Sequence, residues 1–309
     1  MKKGFVTLLF VITVQLFLSS ASSAADRLTV FVSIAPQRYF VQQIGRDLVD
    51  VQVLVEPGAD PHTYEPRPRQ MTALAKAAIY FAMGIEFEEA KLANIAAINP
   101  GMRIVHTDHG IQKLPMETRG HQGESDRDPG IDAQATKPGV PHRHPAHESR
   151  DPHIWLSPPL VMMQARTILI ALQEADPAHR PVYEANYREF IIAILDLDAH
   201  LRNLFDGLQG SSFLVLHPSW GTFAHTYGLK QVSIEIEGKE PKPAQLKALI
   251  EHARANRIKV VFVQPQFSAK SAALIAKAIG GRVVVVDPLA EDWAFNLQKA
   301  AQEFRHAFN

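Results

Sequence analysis

The stretch DPAHRPVYEANYREFIIAILDLDAHLRNLFDGL, residues 176–208, divides the chain. Its apolar residues fall at Tyr183, Tyr187, Phe190, Ile194, Leu197, Leu201, Leu204 and Leu208, with gaps that alternate between 4 and 3. That alternation keeps one stripe on one face of a helix. Asp176 stands where an N-cap belongs, Pro177 suits a first turn, and Gly207 and Gly210 mark the end. A helix of some thirty residues, at about 1.5 Å rise each, is roughly 45 Å long, against a usual length of about 11–12 residues. One compact domain of this size does not need such a rod. The reading is a strut shared by two lobes; a long helix inside one domain and a short coiled coil are the alternatives.

On the N-terminal side of the strut, strands alternate with helices. Leu28–Ile34, Val49–Val55, Ala78–Ala82 and Arg103–His106 read as strands, and Arg38–Ile44 and Pro68–Ala77 as helices. The C-terminal side repeats the alternation. Ser212–Leu216, Gln231–Ile236, Lys259–Val263 and Arg282–Val286 are strands, with helices at Gly221–Tyr227, Ala244–Ala255 and Ser268–Ile279 and a last one running through Phe304. The fold class is therefore α/β, with a parallel sheet in each lobe covered by helices. The expected domains are residues 26–175, the linking helix 176–208, and residues 209–309.

Residues 1–25 set the compartment. Met1-Lys2-Lys3 is a short basic start, Gly4 to Leu18 is apolar apart from Thr7, Thr13 and Gln15, and Ser19 to Ala25 is small. This is the pattern of a cleaved secretory signal peptide, too short and wrongly flanked for a membrane-spanning helix. There is no cysteine, so neither a disulfide nor a thiol for lipid attachment is available. A soluble, monomeric periplasmic protein is expected. Without Lys2 and Lys3, 30 basic side chains face 32 acidic ones, a net charge of −2. That balance favours neither nucleic acid nor an anionic membrane surface.

From about residue 112 to 151 periodicity dissolves into Gly, Pro, charged residues and the histidines His121, His142, His144 and His147. A stretch this long without a pattern reads as a functional loop or a solvated linker. The closely spaced His142, His144 and His147 favour weak metal capture.

Four residues share one topological position, in a loop after a strand or just ahead of a helix: His62, His153, His217 and Asp287. Ligands in such sheets sit beyond the carboxyl ends of the strands. Three imidazoles and one carboxylate form a tetrahedral shell suited to Zn²⁺. Spacing alone does not establish it, because the four are scattered; each histidine singly reads as structural, and Asp287 singly as a helix cap.

The segments Gly58-Ala-Asp-Pro61-His62-Thr-Tyr-Glu65-Pro66, Asp151-Pro-His153-Ile-Trp155-Leu and Asp287-Pro-Leu289 resemble the metal-binding solute-binding proteins of ATP-driven zinc and manganese importers, the zinc-uptake type in particular. The resemblance spans the whole mature chain. It implies two Rossmann-like lobes joined by a rigid backbone helix, with a divalent metal ion in the cleft between them and a membrane permease of an ABC transporter as partner. It also implies that His62, His153 and Asp287 are ligands. The third ligand is histidine in zinc-type members and commonly glutamate in manganese-type members; His217 occupies that position. Imidazole favours zinc, copper and nickel over manganese. His225, His106, His109, His179, His200, His252 and His306 read as packing or surface residues, and Glu65, Trp155 and Trp220 as neighbours of the site. The remaining alternatives are a manganese-type protein, a secreted zinc hydrolase, which would keep an open metal position, and an adhesin.

Overall fold

The computed structural model describes residues 27–116, 150–235 and 241–308. The signal-like segment 1–25 and His121, His142, His144 and His147 lie outside the described residues.

The N-terminal lobe runs β1 (Leu28–Val32), α1 (Ala35–Gly45), β2 (Val49–Val53), α2 (Pro68–Leu74), β3 (Ile79–Ala82), α3 (Glu86–Ile98) and β4 (Arg103–His106). After the insertion come α4 (Pro158–Ala175) and the linking helix α5 (Arg180–Leu204). The second lobe runs β5 (Ser212–Val215), α6 (Gly221–Thr226), β6 (Lys230–Ser233), α7 (Pro243–Ala255), β7 (Val260–Val263), α8 (Lys270–Ala278), β8 (Arg282–Val285) and α9 (Trp293–Ala307). Each sheet has four parallel strands, in the orders β2-β1-β3-β4 and β6-β5-β7-β8. The two orders are the same order shifted by four strands. Both switch direction beside their first strand, the position where such sheets open a crevice at their carboxyl ends. Central strands are apolar on both faces, as helix-covered parallel strands must be: every residue of Ile79–Ala82 and of Val260–Val263 is buried.

The linking helix is shorter than its periodicity suggests. Pro177–His179 form a 3-10 turn, the α-helix begins at Arg180, and the chain leaves it at Phe205. Twenty-five residues make a rod of roughly 37 Å. The Asp176 carboxylate does not cap a backbone N–H; it accepts from the Tyr183 hydroxyl at 2.8 Å and meets His179 Nδ1 at 2.7 Å. The apolar stripe is used as written: Tyr183, Phe190, Ile194, Leu197 and Leu201 are all buried. Asn186 donates to the Ile44 carbonyl and Phe190 packs on Tyr39 and Phe40, all in the first lobe. At the other end Asp198 accepts from the Tyr227 hydroxyl and Phe205 packs on Phe223, both in the second lobe.

The last helix is also shared. Phe304 packs on Phe213 and Phe262 of the second sheet, while Trp293, at the helix start, meets Phe40 of the first lobe edge-on at 5.1 Å. One continuous apolar core therefore runs through α1, α4, α5 and α9 into one face of the second sheet. A smaller core under α7 and α8 covers the other face. Each fully buried phenylalanine at this junction contributes about 1.5–3 kcal/mol, so the lobes are joined by packing as well as by chain. Among the described residues, no helix is long and apolar enough to cross a membrane.

Candidate metal centre

His62, His153 and His217 meet at one small cavity between the lobes, of about 40 Å³, walled by Ile34, Phe87, Trp155 and Phe267. The His62 and His217 rings lie 5.2 Å apart centre to centre, and His153 and His217 5.8 Å. Imidazoles bound tetrahedrally at about 2.0–2.1 Å place their ring centres about 5.2 Å apart. The first pair already has that spacing and the second is slightly expanded. Consistent with the expansion, no three His, Cys, Asp or Glu side chains among the described residues stand in positions that hold a metal ion as they are.

Each ring has a carboxylate behind it. His62 Nδ1 faces Glu86 at 2.7 Å, His153 Nδ1 faces Asp151 at 2.7 Å, and His217 Nδ1 faces Glu235 at 3.0 Å. An ionised carboxylate only accepts, so in all three rings Nδ1 carries the hydrogen, and in the neutral form of each ring the lone pair is left on Nε2. That is the tautomer a metal ligand requires, and a carboxylate behind an imidazole makes it a better donor. His217 Nε2 is buried and makes no hydrogen bond. An unpaired buried nitrogen costs about 1–3 kcal/mol, which a cation at this position would recover.

The local folding that places these groups differs from one to the next. His62 sits on the loop after β2, where Gly58 takes φ +81° and Asp60 accepts from the His62 N–H and the Thr63 hydroxyl. Glu86 begins α3 after a turn clamped on both sides. Buried Glu88 accepts from the Met83 and Gly84 N–H groups, and Lys113 donates to both of their carbonyls. Burial raises the Glu88 carboxyl, against the hydrogen bonds from Ser33 and the turn. His217 follows β5. Buried Gln264 accepts from its N–H, donates to its carbonyl and donates to Ser219, and Phe267 stacks on its ring at 4.7 Å.

The electrostatics follow from burial. Burial holds the His217 imidazole below its ordinary value, helped by the neighbouring His153 and His62 and opposed by Glu235. Burial alone pushes the Asp151 carboxyl up, but bonds from His153 and Thr222 outweigh it and leave it below the ordinary range.

Asp287 is not among the residues that line the cavity. Pro288 and Leu289 line the cavity, and Asp287 lies one residue behind them. Its Oδ1 accepts from Gln266 Nε2 and the Leu289 N–H, both at 2.9 Å. Glu65 pairs with Lys91 and not with a site histidine. Trp155 lines the cavity; Trp220 is buried in the core beside Phe223 and Phe304. His225 borders a second cavity, of about 320 Å³, at the root of the insertion. The sequence reading did not assign Glu86, Asp151 or Glu235. Asp151 was the legible one, two residues from His153; Glu86 and Glu235 reach their rings only through the fold.

Two matching parallel sheets, one helix bridging them and histidines from both halves facing one crevice define the two-lobed solute-binding class. Residues 30–306 match the ZnuA family, the periplasmic component A of the zinc-uptake complex, and the chain belongs to that family. It is 28% identical over 274 residues to the high-affinity zinc uptake system protein ZnuA of Bacillus subtilis strain 168, covering 87% of this chain and 81% of that protein. It is 26% identical over 267 residues to its counterpart from Yersinia pestis, covering 84% and 82%. A crystal structure of a ZnuA superposes with a TM-score of 0.81 at 41% identity, over 92% of this chain and all of the other. A zinc-bound deletion mutant of a ZnuA superposes at 0.80 with 40% identity, over 92% of this chain and 99% of the other.

Proposed function

We propose that this protein captures Zn²⁺ in the periplasm and delivers it to the membrane permease of an ABC importer. The observation that carries the reading is the trio His62, His153 and His217, contributed from both sides of the linking helix to one cavity, each with a carboxylate at Nδ1. Membership of the zinc-uptake family supports zinc as the cargo. A shell of three imidazoles and one carboxylate supports it over manganese, which prefers oxygen-rich shells.

Zn²⁺ enters the cleft, sheds water and binds the three Nε2 atoms, with Asp287 as the fourth ligand. Asp287 reaches the ion from the loop it shares with Pro288 and Leu289, which line the cavity. The three carboxylates behind the rings offset the cation's charge. Because the core continues through both lobes, closure is a small tilt and not a wide hinge. The permease then recognises the loaded form of the monomer. A signal peptide over residues 1–25 would bring the chain to the periplasm.

A hydrolase is disfavoured by the ligand set. Four protein ligands leave no open position on the ion for a substrate, whereas a catalytic zinc keeps one.

Two measurements test the reading. Native mass spectrometry of the protein taken from the periplasm is expected to show one bound zinc, and calorimetry of the His217→Ala protein a large loss of affinity. Unchanged affinity in that variant, or manganese as the co-purified ion, would overturn it.

A further inference from the structure

Asp151 is almost fully buried, and both of its oxygens are committed. Oδ1 accepts from the His153 N–H at 3.0 Å and faces His153 Nδ1 at 2.7 Å. Oδ2 points the other way, across the boundary between the lobes. It accepts from the Thr222 N–H at 2.9 Å and the Thr222 hydroxyl at 2.8 Å. Thr222 is the second residue of α6, the helix that starts four residues after His217. One carboxylate therefore touches a site histidine with one oxygen, and with the other the element that fixes the opposing site histidine.

The approach is built for closeness. A Cβ on Gly221 would stand 2.9 Å from Asp151 Oδ2, so only glycine lets the helix start come this near. The same join is reinforced beyond Asp151. Trp155 Nε1 donates to the Pro288 carbonyl, Trp293 Nε1 donates to the Trp155 carbonyl, and Thr226 donates to the Ser157 hydroxyl. All of these attach the segment 151–157 to the second lobe. His62 has no such tie: its loop bonds internally and its carboxylate partner is exposed.

We propose that Asp151 is a positioning residue for metal binding, coupling His153 to the element that carries His217 by gripping His153 with one oxygen and the start of α6 with the other. This rests on the zinc reading above. His153 precedes the linking helix in sequence, and its neighbour Asp151 is also held to the first-lobe stem through its N–H, so the segment is tied to both lobes. His62 already stands at metal spacing from His217, 5.2 Å, so the shell is completed by a slight contraction of the His153–His217 pair from 5.8 Å.

An asparagine at 151 cannot satisfy both sides. Both neighbours offer hydrogens, and an amide has one oxygen to accept them. If its oxygen stays with Thr222, its NH₂ faces His153 Nδ1, and the ring hydrogen moves to Nε2, where the metal must bind.

The test is zinc affinity by chelator competition on the full chain, with ¹⁵N spectra of the imidazoles in the metal-free protein. Asp151→Asn is expected to weaken zinc binding about 10–100-fold and to move the His153 ring hydrogen from Nδ1 to Nε2. Thr222→Val keeps the backbone bond but loses the hydroxyl, so a smaller loss with the His153 tautomer unchanged is expected. In an Asp151→Ala background the Thr222→Val change should shift affinity less than about twofold, since the shared acceptor is gone. Asp151→Asn within about twofold of wild type, or losses from Asp151→Ala and Thr222→Val that simply add, would overturn the proposal. Should His217→Ala leave zinc binding intact, the zinc site itself is wrongly assigned. A large His217→Ala loss beside an unaffected Asp151→Asn protein sinks only the role of Asp151.

Discussion

His62 and His217 carry the same chemistry in opposite surroundings. The His62 side chain and its partner Glu86 are 32% and 69% exposed; for His217 and Glu235 the values are 10% and 12%. His217 is gripped through its backbone by Gln264 and stacked by Phe267. His62 rides an irregular loop whose turn is held by Asp60. The second lobe thus offers a fixed, dry nitrogen already stripped of hydrogen-bond partners, and the first offers a wet, adaptable one. A capture site needs both: the fixed donor sets where the ion sits, and the adaptable one lets it in and out.

The largest expected effect is removal of the fixed donor. Zinc sites with four ligands bind with about 10–16 kcal/mol, so one ligand is worth about 3–4 kcal/mol, a loss on the order of 10²–10³-fold. For His217→Ala the loss should reach the upper end, because no water-accessible group can substitute at a buried position. Asp287→Ala is expected to cost less, about 10-fold, since its carboxylate must first give up the Gln266 and Leu289 bonds that now hold it. Calorimetry on both variants checks the order; a larger loss for Asp287 would mean that the carboxylate, and not the buried imidazole, fixes the ion.

The carboxylates behind the rings sharpen the contrast. Glu235→Gln should weaken zinc binding about 10–100-fold, as loss of a carboxylate behind a metal-bound histidine does. Glu86→Gln should cost no more than about fivefold, because an exposed pair is worth about 0–1 kcal/mol and is screened by salt. Raising ionic strength should shrink the Glu86 effect further and leave the Glu235 effect nearly unchanged. Equal losses would erase the distinction between the two sides of the site.

Most of the architecture was legible because periodicity survives wherever an element has one buried face. The stripe from Tyr183 to Leu201 and the apolar strands are read directly from the chain. Helix Glu86–Ile98 was missed because its alanines spread around the face opposite Phe87, Ile95 and Ile98 and blur the stripe; its alanines and glutamates were the surviving signal. The three histidines were legible from their shared topological position. Their carboxylates were not, apart from Asp151, since Glu86 is 24 residues from His62 and Glu235 is 18 from His217. The hydrogen bond from Gln266 to Asp287 is likewise a contact no spacing rule encodes.

A smaller effect concerns acidity. The metal-free fold keeps His217 neutral below the ordinary imidazole value, while the unfolded chain protonates near pH 6.5. The unfolded state therefore binds more protons in this window, and stability falls as pH drops through about 6.5 and below. Asp151, held low, contributes stability present above about pH 3.9 and lost as pH falls beneath that. Melting curves of the metal-free protein between about pH 7.5 and 5.5 should decline less steeply for His217→Gln than for wild type. An identical slope would show that the second lobe does not hold this ring neutral.

The smallest effect is expected from the segment richest in histidine. The two ends of the insertion are already joined: Pro115 pairs with Arg150 across an antiparallel bridge, the Asp151 N–H donates to the Leu114 carbonyl at 2.8 Å, and Arg150 donates to the Lys113 carbonyl. Deleting residues 120–147 therefore leaves the stem that supports Asp151 and Lys113. Shortening a closed loop from about thirty residues to about five lowers its closure cost by about 1–2 kcal/mol, so the metal-free melting temperature should hold or rise slightly. Zinc affinity at the tight site should stay within about threefold, while the weaker binding supplied by His142, His144 and His147 disappears from the titration. If the tight site were lost together with the weak one, the ion would be held jointly by cleft and insertion, and the division of labour between fixed and adaptable histidines would have to include a third region.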